Sequence, residues 1–338
     1  MSMQKEGTIA ALAAAALGEE DARRALEALA IAPALMAESG ERVSRAAFAM
    51  AMNVLLFHDL LRRVPSGSAY VTDTLGRGGR VLFDHGALRT VRMPQGPTGA
   101  LPAGEDAFTR IFLPLGYEMA AVYPLDRLRM TGRAYRHADA PEDIPQFFLS
   151  ELHVDRFDPE FQEAAERVFG SSRDPLDGEA LALLDAFAAG EAVSLGQAAR
   201  VLPTIVAAFD RQHEAPDFED YQLLLSRSNE AAWIATEGNA FNHATDRVPD
   251  VAALAERLKA EERPMKARLE VSATGRVRQT AFRADSVERV FADGEVRTVP
   301  GSFYEFISRD VDPETGRLDL AFDTGNATGI FAMTSAGR

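Results

Sequence analysis

The sequence predicts an α+β protein whose strands, rather than its helices, carry the chemistry. Two observations support this. Segments of strand character fall into two groups on either side of a run of helices, and the order strand–helix–several strands occurs in both groups. Within those strands, three stretches put polar or charged side chains on faces that an ordinary core would fill with apolar ones. In Phe241–Arg247, alternation puts Phe241, His243, Thr245 and Arg247 on one face. In Val81–Val91, His85 and Arg89 point the same way, and in Gly301–Ile307 an aromatic strand encloses Glu305. Two histidines and one buried-looking carboxylate, each on its own strand, suggest a metal site.

In chain order, residues 8–63 read as helices over Ile9–Leu17, Ala22–Leu35 and Ala46–Leu61. The last has Phe48, Ala51, Leu55 and His58 along one amphipathic face, and Pro65-Ser66-Gly67-Ser68 ends it. Arg80–Met93 is the first histidine strand, Pro94–Gly104 a loop, and Phe108–Leu113 a short helix. Tyr117–Tyr123, Leu128–Tyr135 and Gln146–Phe157 are strands. Helices follow at Pro159–Phe169, Gly178–Phe187, Leu195–Asp210 and Phe218–Ile234. Strands resume at Asn239–Arg247, with a helix at Val251–Ala260 and further strands at Ala267–Val271, Arg276–Arg283 and Glu295–Ile307. A closing strand includes Thr328–Met333. The expected organisation is an N-terminal helical segment (1–64), a first half of the β core (65–157), a helical insertion (158–235) and a second half of the β core (236–338).

Composition narrows the function. The chain has 338 residues, 46% of them hydrophobic, which allows about two domains or one enlarged domain with ample core. A net charge of −15 argues against nucleic-acid and anionic-membrane partners. With no cysteine, thiolate ligands and disulfides are excluded, so a metal must be held by His, Asp and Glu. No apolar run approaches transmembrane length. The apolar stretch Ile9–Leu17 is preceded by a single lysine and followed by Glu19, Glu20 and Asp21, unlike a signal peptide. A cytoplasmic protein is expected. The Gly76–Gly79 turn lacks the Lys-Ser/Thr of a phosphate loop and leads into a strand.

Of the six histidines, His58 reads as a helix-face residue, and His137 and His213 as solvent-exposed positions in charged loops. His153 shares a face with Glu151 and Asp155, which a solvated strand explains as well as a site does. By spacing alone, His85 and His243 fit either metal ligation or hydrogen-bonded core positions.

A resemblance bears on that choice. Asp84-His85-Gly86-Ala87-Leu88-Arg89, Ser150-Glu151-Leu152-His153-Val154, Asn242-His243-Ala244-Thr245 and Pro300-Gly301-Ser302-Phe303-Tyr304-Glu305-Phe306 together resemble one family. It is the 2-oxoadipate dioxygenase/decarboxylase family, a former domain-of-unknown-function group of the vicinal-oxygen-chelate (glyoxalase-like) superfamily. The likeness runs from about Ala46 to Met333. It implies an incomplete barrel of mostly antiparallel strands around a metal, with N-terminal and inserted helices packed outside. It also implies His85, His243 and Glu305 as metal ligands and Arg89 as a catalytic, substrate-binding arginine.

The implied reaction is oxidative decarboxylation and hydroxylation of a 2-oxo acid: 2-oxoadipate to D-2-hydroxyglutarate and CO2, with Fe(II) as cofactor and O2 as co-substrate. Another divalent metal could occupy a purified protein. Two histidines and a carboxylate on one side of a metal suit that chemistry, because they leave positions open. Arg89 lies roughly 13 Å beyond His85 along an extended strand, within reach of a shared carboxylate. Arg247 stands in the same relation to His243 and is a second candidate for substrate; an ion pair with Asp246 or Asp250 is its alternative. Gln279 is either a substrate-orienting residue or a plain strand position, and Gly329-Ile330-Phe331 either closes the pocket or packs. A metal-dependent lyase or isomerase and a non-catalytic binding protein on the same scaffold are the competing functions.

Overall fold

The computed structural model describes residues 7–191 and 193–322; the expected strand at Thr328–Met333 and the Gly329-Ile330-Phe331 element lie outside them. An eight-stranded sheet organises the chain. Its strands are β1 (Phe83–Arg92), β2 (Tyr117–Leu125), β3 (Met130–His137), β4 (Gln146–His153), β5 (Phe241–Arg247), β6 (Glu270–Val271), β7 (Val277–Ala281) and β8 (Phe303–Arg309). Their spatial order is β2-β3-β4-β1-β5-β8-β7-β6. Neighbours are antiparallel except β1–β4 and β5–β8, which are parallel.

That order is one unit used twice. β1, the helix Asp106–Phe112 and β2–β4 form the first copy; β5, the helix Val251–Ala260 and β6–β8 form the second. In each copy the first strand pairs parallel with the last. The two first strands meet antiparallel at the centre, with His85 opposite Thr245 and Ala87 opposite His243. Exchanging the copies maps one pair onto the other, so His85 and His243 are equivalent positions. The sheet curls into a half-barrel, and alternation puts His85, Ala87 and Arg89 of β1 on its concave face with His243 and Thr245 of β5 and Glu305 of β8.

The convex face carries Leu88, Phe147, Ala244, Tyr304 and Phe306 into a core shared with the helix Arg45–Arg63 and the insertion helices Gly178–Ala188 and Leu195–Val206. Phe241 belongs to that core too, which corrects its expected place beside His243. A bulge in the β1–β5 ladder makes Phe241 the partner of Leu88 immediately after Ala87–His243, so Asn242 is the extra residue and Phe241 turns to the opposite face. Gly86 makes room for it, since a Cβ there would lie 2.3 Å from the Phe241 ring. The rest of the insertion, Pro159–Phe169, Phe218–Arg227 and Asn229–Glu237, packs with Val91, Met130 and Leu152 at one end of the concave face.

Several boundaries differ from expectation; the helix expected over Ala22–Leu35 is two, Glu19–Ala28 and Pro33–Met36, separated by the extended backbone of Leu29. Pro65 starts a helix (Pro65–Gly76), because at the first helical position its missing N–H costs nothing. Gly67 in that helix approaches Tyr304, where a Cβ would be 2.8 Å from the ring. The helix expected over Phe218–Ile234 breaks at Ser228, whose extended backbone and side-chain oxygen, accepting from Ala231 N at 3.1 Å, cap Asn229–Glu237. The long strand expected over Glu295–Ile307 is two: Val296–Pro300 pairs in a hairpin with Ser286–Val290, and β8 begins after Gly301-Ser302. No helix among the described residues is long and apolar enough to cross a membrane.

Candidate metal centre

Among the described residues, His85, His243 and Glu305 are brought together with potential ligand atoms within 4.8 Å of one another. Each comes from a separate central strand, and each is almost fully buried, at 1%, 2% and 1% exposure. Glu305 Oε2 lies 3.3 Å from His85 Nε2 and 3.4 Å from His243 Nε2. The Thr245 hydroxyl sits between them, donating to Glu305 Oε2 at 2.8 Å and lying 3.0 Å from His85 Nε2.

The two histidines differ in their surroundings. A second bulge makes Asp84 the extra residue of β1, so its carboxylate turns to its own neighbour and accepts from His85 Nδ1 at 2.8 Å. Burial alone would lower the His85 pKa, but hydrogen bonds to Asp84 and Glu305 outweigh it and the net shift is upward. Asp84 is likewise fully buried; burial would raise its pKa, but the Arg309 charge and the His85 bond hold it well below the usual carboxylate range. For Glu305, burial is again opposed, by His243, His85 and Thr245, and its pKa falls. His243 is pushed down to about 3, chiefly by burial. Asn242 stands where the repeat would place a second Asp84.

A cation fits this set. Both ring nitrogens of His243 are buried without a hydrogen-bond partner among the described residues, and a metal bond at Nε2, the nitrogen facing Glu305, would remove the cost of that one, about 1–3 kcal/mol. The Asp84–His85 contact is of the kind that fixes the ring of a ligating imidazole. The repeat also accounts for the number of potential ligands. Glu305 lies opposite Thr245, and the equivalent position opposite Ala87 is Phe148. An aromatic ring, 4.9 Å from that of Phe322, replaces a fourth donor and leaves positions open.

Arg89 shares the concave face, is fully buried and lies 4.8 Å from the Trp233 ring. Trp233 is fixed in turn by its Nε1 bond to Gly301 O at 3.0 Å. Burial pulls the Arg89 pKa down to about 10 against the opposing charge of Glu230, so the group stays cationic near neutral pH. Gln279 faces the same side, donating to Glu270 Oε2 at 3.2 Å, and Glu270 is paired with Lys266. Arg247 donates to the carbonyl of Glu142 at 2.9 Å and lies 3.9 Å from Asp84; these contacts replace the expected pairing with Asp246 or Asp250. Beside the triad, Gln146, the ladder partner of His85, helps line a cavity of about 500 Å³ with Tyr123, Ala134, Arg136, Arg317 and Leu320.

The other histidines stay out of the centre, and two correct the sequence reading. His137 and His213 are buried, not solvent-exposed. His137 packs edge-on against Tyr117 at 5.3 Å, and burial lowers its pKa. His213 packs against Phe169 and donates from Nε2 to Ala235 O at 3.0 Å; burial pushes its pKa down to about 4. His58 is half-buried in its helix. His153 bonds Thr131 at 2.8 Å on the convex face. Beside it Glu151 is not solvated: it is fully buried, pairs with Arg92 at 2.9 Å and accepts from Glu105 N at 2.7 Å. The roles of Asp84, Thr245 and Arg309 were missed. Asp84 is adjacent to His85, but a regular strand would point the two apart.

A curled half-barrel built from a repeated strand–helix–three-strand unit, with two histidines and a carboxylate at its centre, defines a glyoxalase-superfamily protein. The structure of a protein of that superfamily from Ralstonia eutropha JMP134 superimposes with a TM-score of 0.88 at 52% identity, covering 94% of this chain and 99% of that one. Hydroxyglutarate synthase from Oryza sativa, solved in complex with 2-oxoadipate, shares the fold with a TM-score of 0.68 at 22% identity, over 88% of this chain and 97% of that one. The 2-oxoadipate dioxygenase/decarboxylase, chloroplastic/amyloplastic, of Oryza sativa subsp. japonica is 28% identical over 287 residues, which is 76% of this chain and 70% of that protein. Residues 63–318 match the family described as 2-oxoadipate dioxygenase/decarboxylase, and the chain belongs to that family of oxidoreductases.

Proposed function

We propose that this protein catalyses Fe(II)-dependent oxidative decarboxylation and hydroxylation of a 2-oxo acid, with 2-oxoadipate and O2 giving D-2-hydroxyglutarate and CO2. The observation that carries the reading is the buried His85–His243–Glu305 set with a buried, cationic Arg89 on the same concave face. The overall reaction balances: one oxygen atom enters the new carboxylate, the other the hydroxyl group, and the carboxyl carbon leaves as CO2.

His85, His243 and Glu305 hold the metal in this reading. Bound Fe(II) supplies open coordination positions and the electrons that activate dioxygen. The chain's own residues do the rest. Asp84 keeps His85 Nδ1–H engaged and so directs Nε2 to the centre. Thr245 orients the Glu305 carboxylate. Arg89, buried and braced against Trp233, would offer a planar fork to a substrate carboxylate. Phe148 and Phe322, their rings 4.9 Å apart, would border the open side with apolar surface. Direct substrate contact is assigned to Arg89. Gln279 faces the same surface and is a secondary candidate, whereas the Asp84 and Glu142 contacts of Arg247 make it a supporting residue.

The test is oxygen uptake by the Fe(II)-loaded protein against a panel of 2-oxo acids, with CO2 and hydroxy acid measured in parallel. Equal amounts of O2 consumed, CO2 released and hydroxy acid formed are expected. Undiminished turnover without oxygen would replace this reading with a lyase or isomerase.

A further inference from the structure

Each residue of the triad is followed four positions later by an arginine on the same strand: Arg89 after His85, Arg247 after His243 and Arg309 after Glu305. Strand direction separates them. β1 runs opposite to β5 and β8, so Arg89 lies at one end of the centre, and Arg247 and Arg309 lie at the other.

Arg309, the last residue of β8, has its side chain excluded from solvent and makes two sets of bonds. Nε and Nη2 grip the Asp84 carboxylate, each at 2.9 Å. Nη1 donates to the carbonyls of Asp319 at 2.9 Å and Ala321 at 2.8 Å. Those carbonyls belong to a strap, residues 319–322, laid across the concave face. Gln146 Nε2 donates to Leu320 O at 3.3 Å, and Phe322 N donates to Tyr123 Oη at 3.1 Å. The strap brings the Phe322 ring edge-on to His85, with centroids 4.7 Å apart and planes at 86°. His85 is thus held at Nδ1 by Asp84 and covered by Phe322, and one guanidinium bonds the supports of both.

We infer that Arg309 is a positioning residue of the centre, coupling the orientation of His85, through Asp84, to the seating of the 319–322 strap over the same ring. The inference rests on the reading of His85, His243 and Glu305 as a metal site. A lysine would keep the charge but could not reproduce a planar fork that bonds a carboxylate and two carbonyls together.

The test is a titration of the metal-free full-length protein with Co(II), reading affinity and the visible absorption bands. It compares wild type, Arg309→Lys, Phe322→Ala and the double variant. Arg309→Lys should weaken Co(II) binding by roughly 10–100-fold, as loss of an outer-shell contact does, and alter the visible bands. Phe322→Ala should weaken binding less, and the double variant no more than Arg309→Lys, because both release the same restraint. Losses that multiply in the double variant would overturn the coupling, and an unchanged affinity in Arg309→Lys would overturn the positioning role. Should Arg309→Lys not fold, Phe322→Ala decides alone, with wild-type affinity and bands counting against the inference. Failure of wild type to bind Co(II) would instead sink the metal-site reading itself.

Discussion

Asp84 and His85 are adjacent in sequence, yet their side chains meet, Oδ1 to Nδ1 at 2.8 Å, because a bulge cancels the alternation that would point them apart. The equivalent pair in the second copy, Asn242 and His243, also follows a bulge, but His243 Nδ1 is left without a hydrogen bond among the described residues. The repeat therefore supplies two similar backbones and two different histidines. Asp84→Asn should lower Co(II) or Fe(II) affinity by roughly 10–100-fold with the triad intact. Wild-type affinity in a chelator competition would remove Asp84 from any supporting role.

Loss of a ligand should cost more. His85→Ala, His243→Ala and Glu305→Ala are each expected to remain folded and to fall below stoichiometric metal in elemental analysis after Fe(II) loading. Full occupancy in one of them would take that residue out of the triad. His153→Ala is the control, because His153 faces the convex side and bonds Thr131; its metal content should equal that of wild type.

Arg89→Lys should keep the metal and lose catalytic efficiency. A bidentate contact is directional, so kcat/KM with a dicarboxylic 2-oxo acid should fall by roughly 10–100-fold, or about 1.4–2.7 kcal/mol. Comparison with a monocarboxylic 2-oxo acid of equal length locates the contact. If Arg89 holds the distal carboxylate, wild type prefers the diacid and the variant loses that preference; an equal loss on both acids points to the metal-bound end.

Gly86→Ala tests packing behind the centre. The new methyl would lie 2.3 Å from the Phe241 ring, and that ring is held by Phe83, Phe147 and Phe209. Overpacking of this kind costs about 1–3 kcal/mol, readable as a lower urea midpoint with an unchanged slope. A midpoint equal to that of wild type would mean that the aromatic cluster yields freely.

His213 gives a pH dependence whose sign follows from its shift. Its folded pKa, pushed down to about 4, lies below the roughly 6.5 of an unfolded histidine, so the unfolded chain binds the extra proton. The contribution is fully present above the unfolded value and is lost as pH falls toward the folded one. Between about pH 7.5 and 5, wild type should lose about 2 kcal/mol more stability than His213→Gln, whose amide can still donate to Ala235 O but does not titrate. Equal losses in urea unfolding would exclude His213 as a source of acid sensitivity.

The sequence by itself determined which residues share a strand face, because a period of two is a local property of the backbone. His85 with Arg89, and His243 with Thr245 and Arg247, could be grouped that way, and the strand–helix–several strands order marked both copies of the repeat. The family's motifs then picked His85, His243 and Glu305 out of a longer roster of titratable side chains. The tertiary structure alone decided what depends on partners distant in the chain. Bulges, set by ladder register, turned Phe241 away from the centre and Asp84 toward His85. The burial of His137 and His213 follows from rings and carbonyls on other elements, and no charged neighbour in sequence reveals it. The grip of Arg309 on Asp84 joins residues 225 positions apart. Only closure of the sheet brings them together, since alternation reports which way a side chain points but not what it meets.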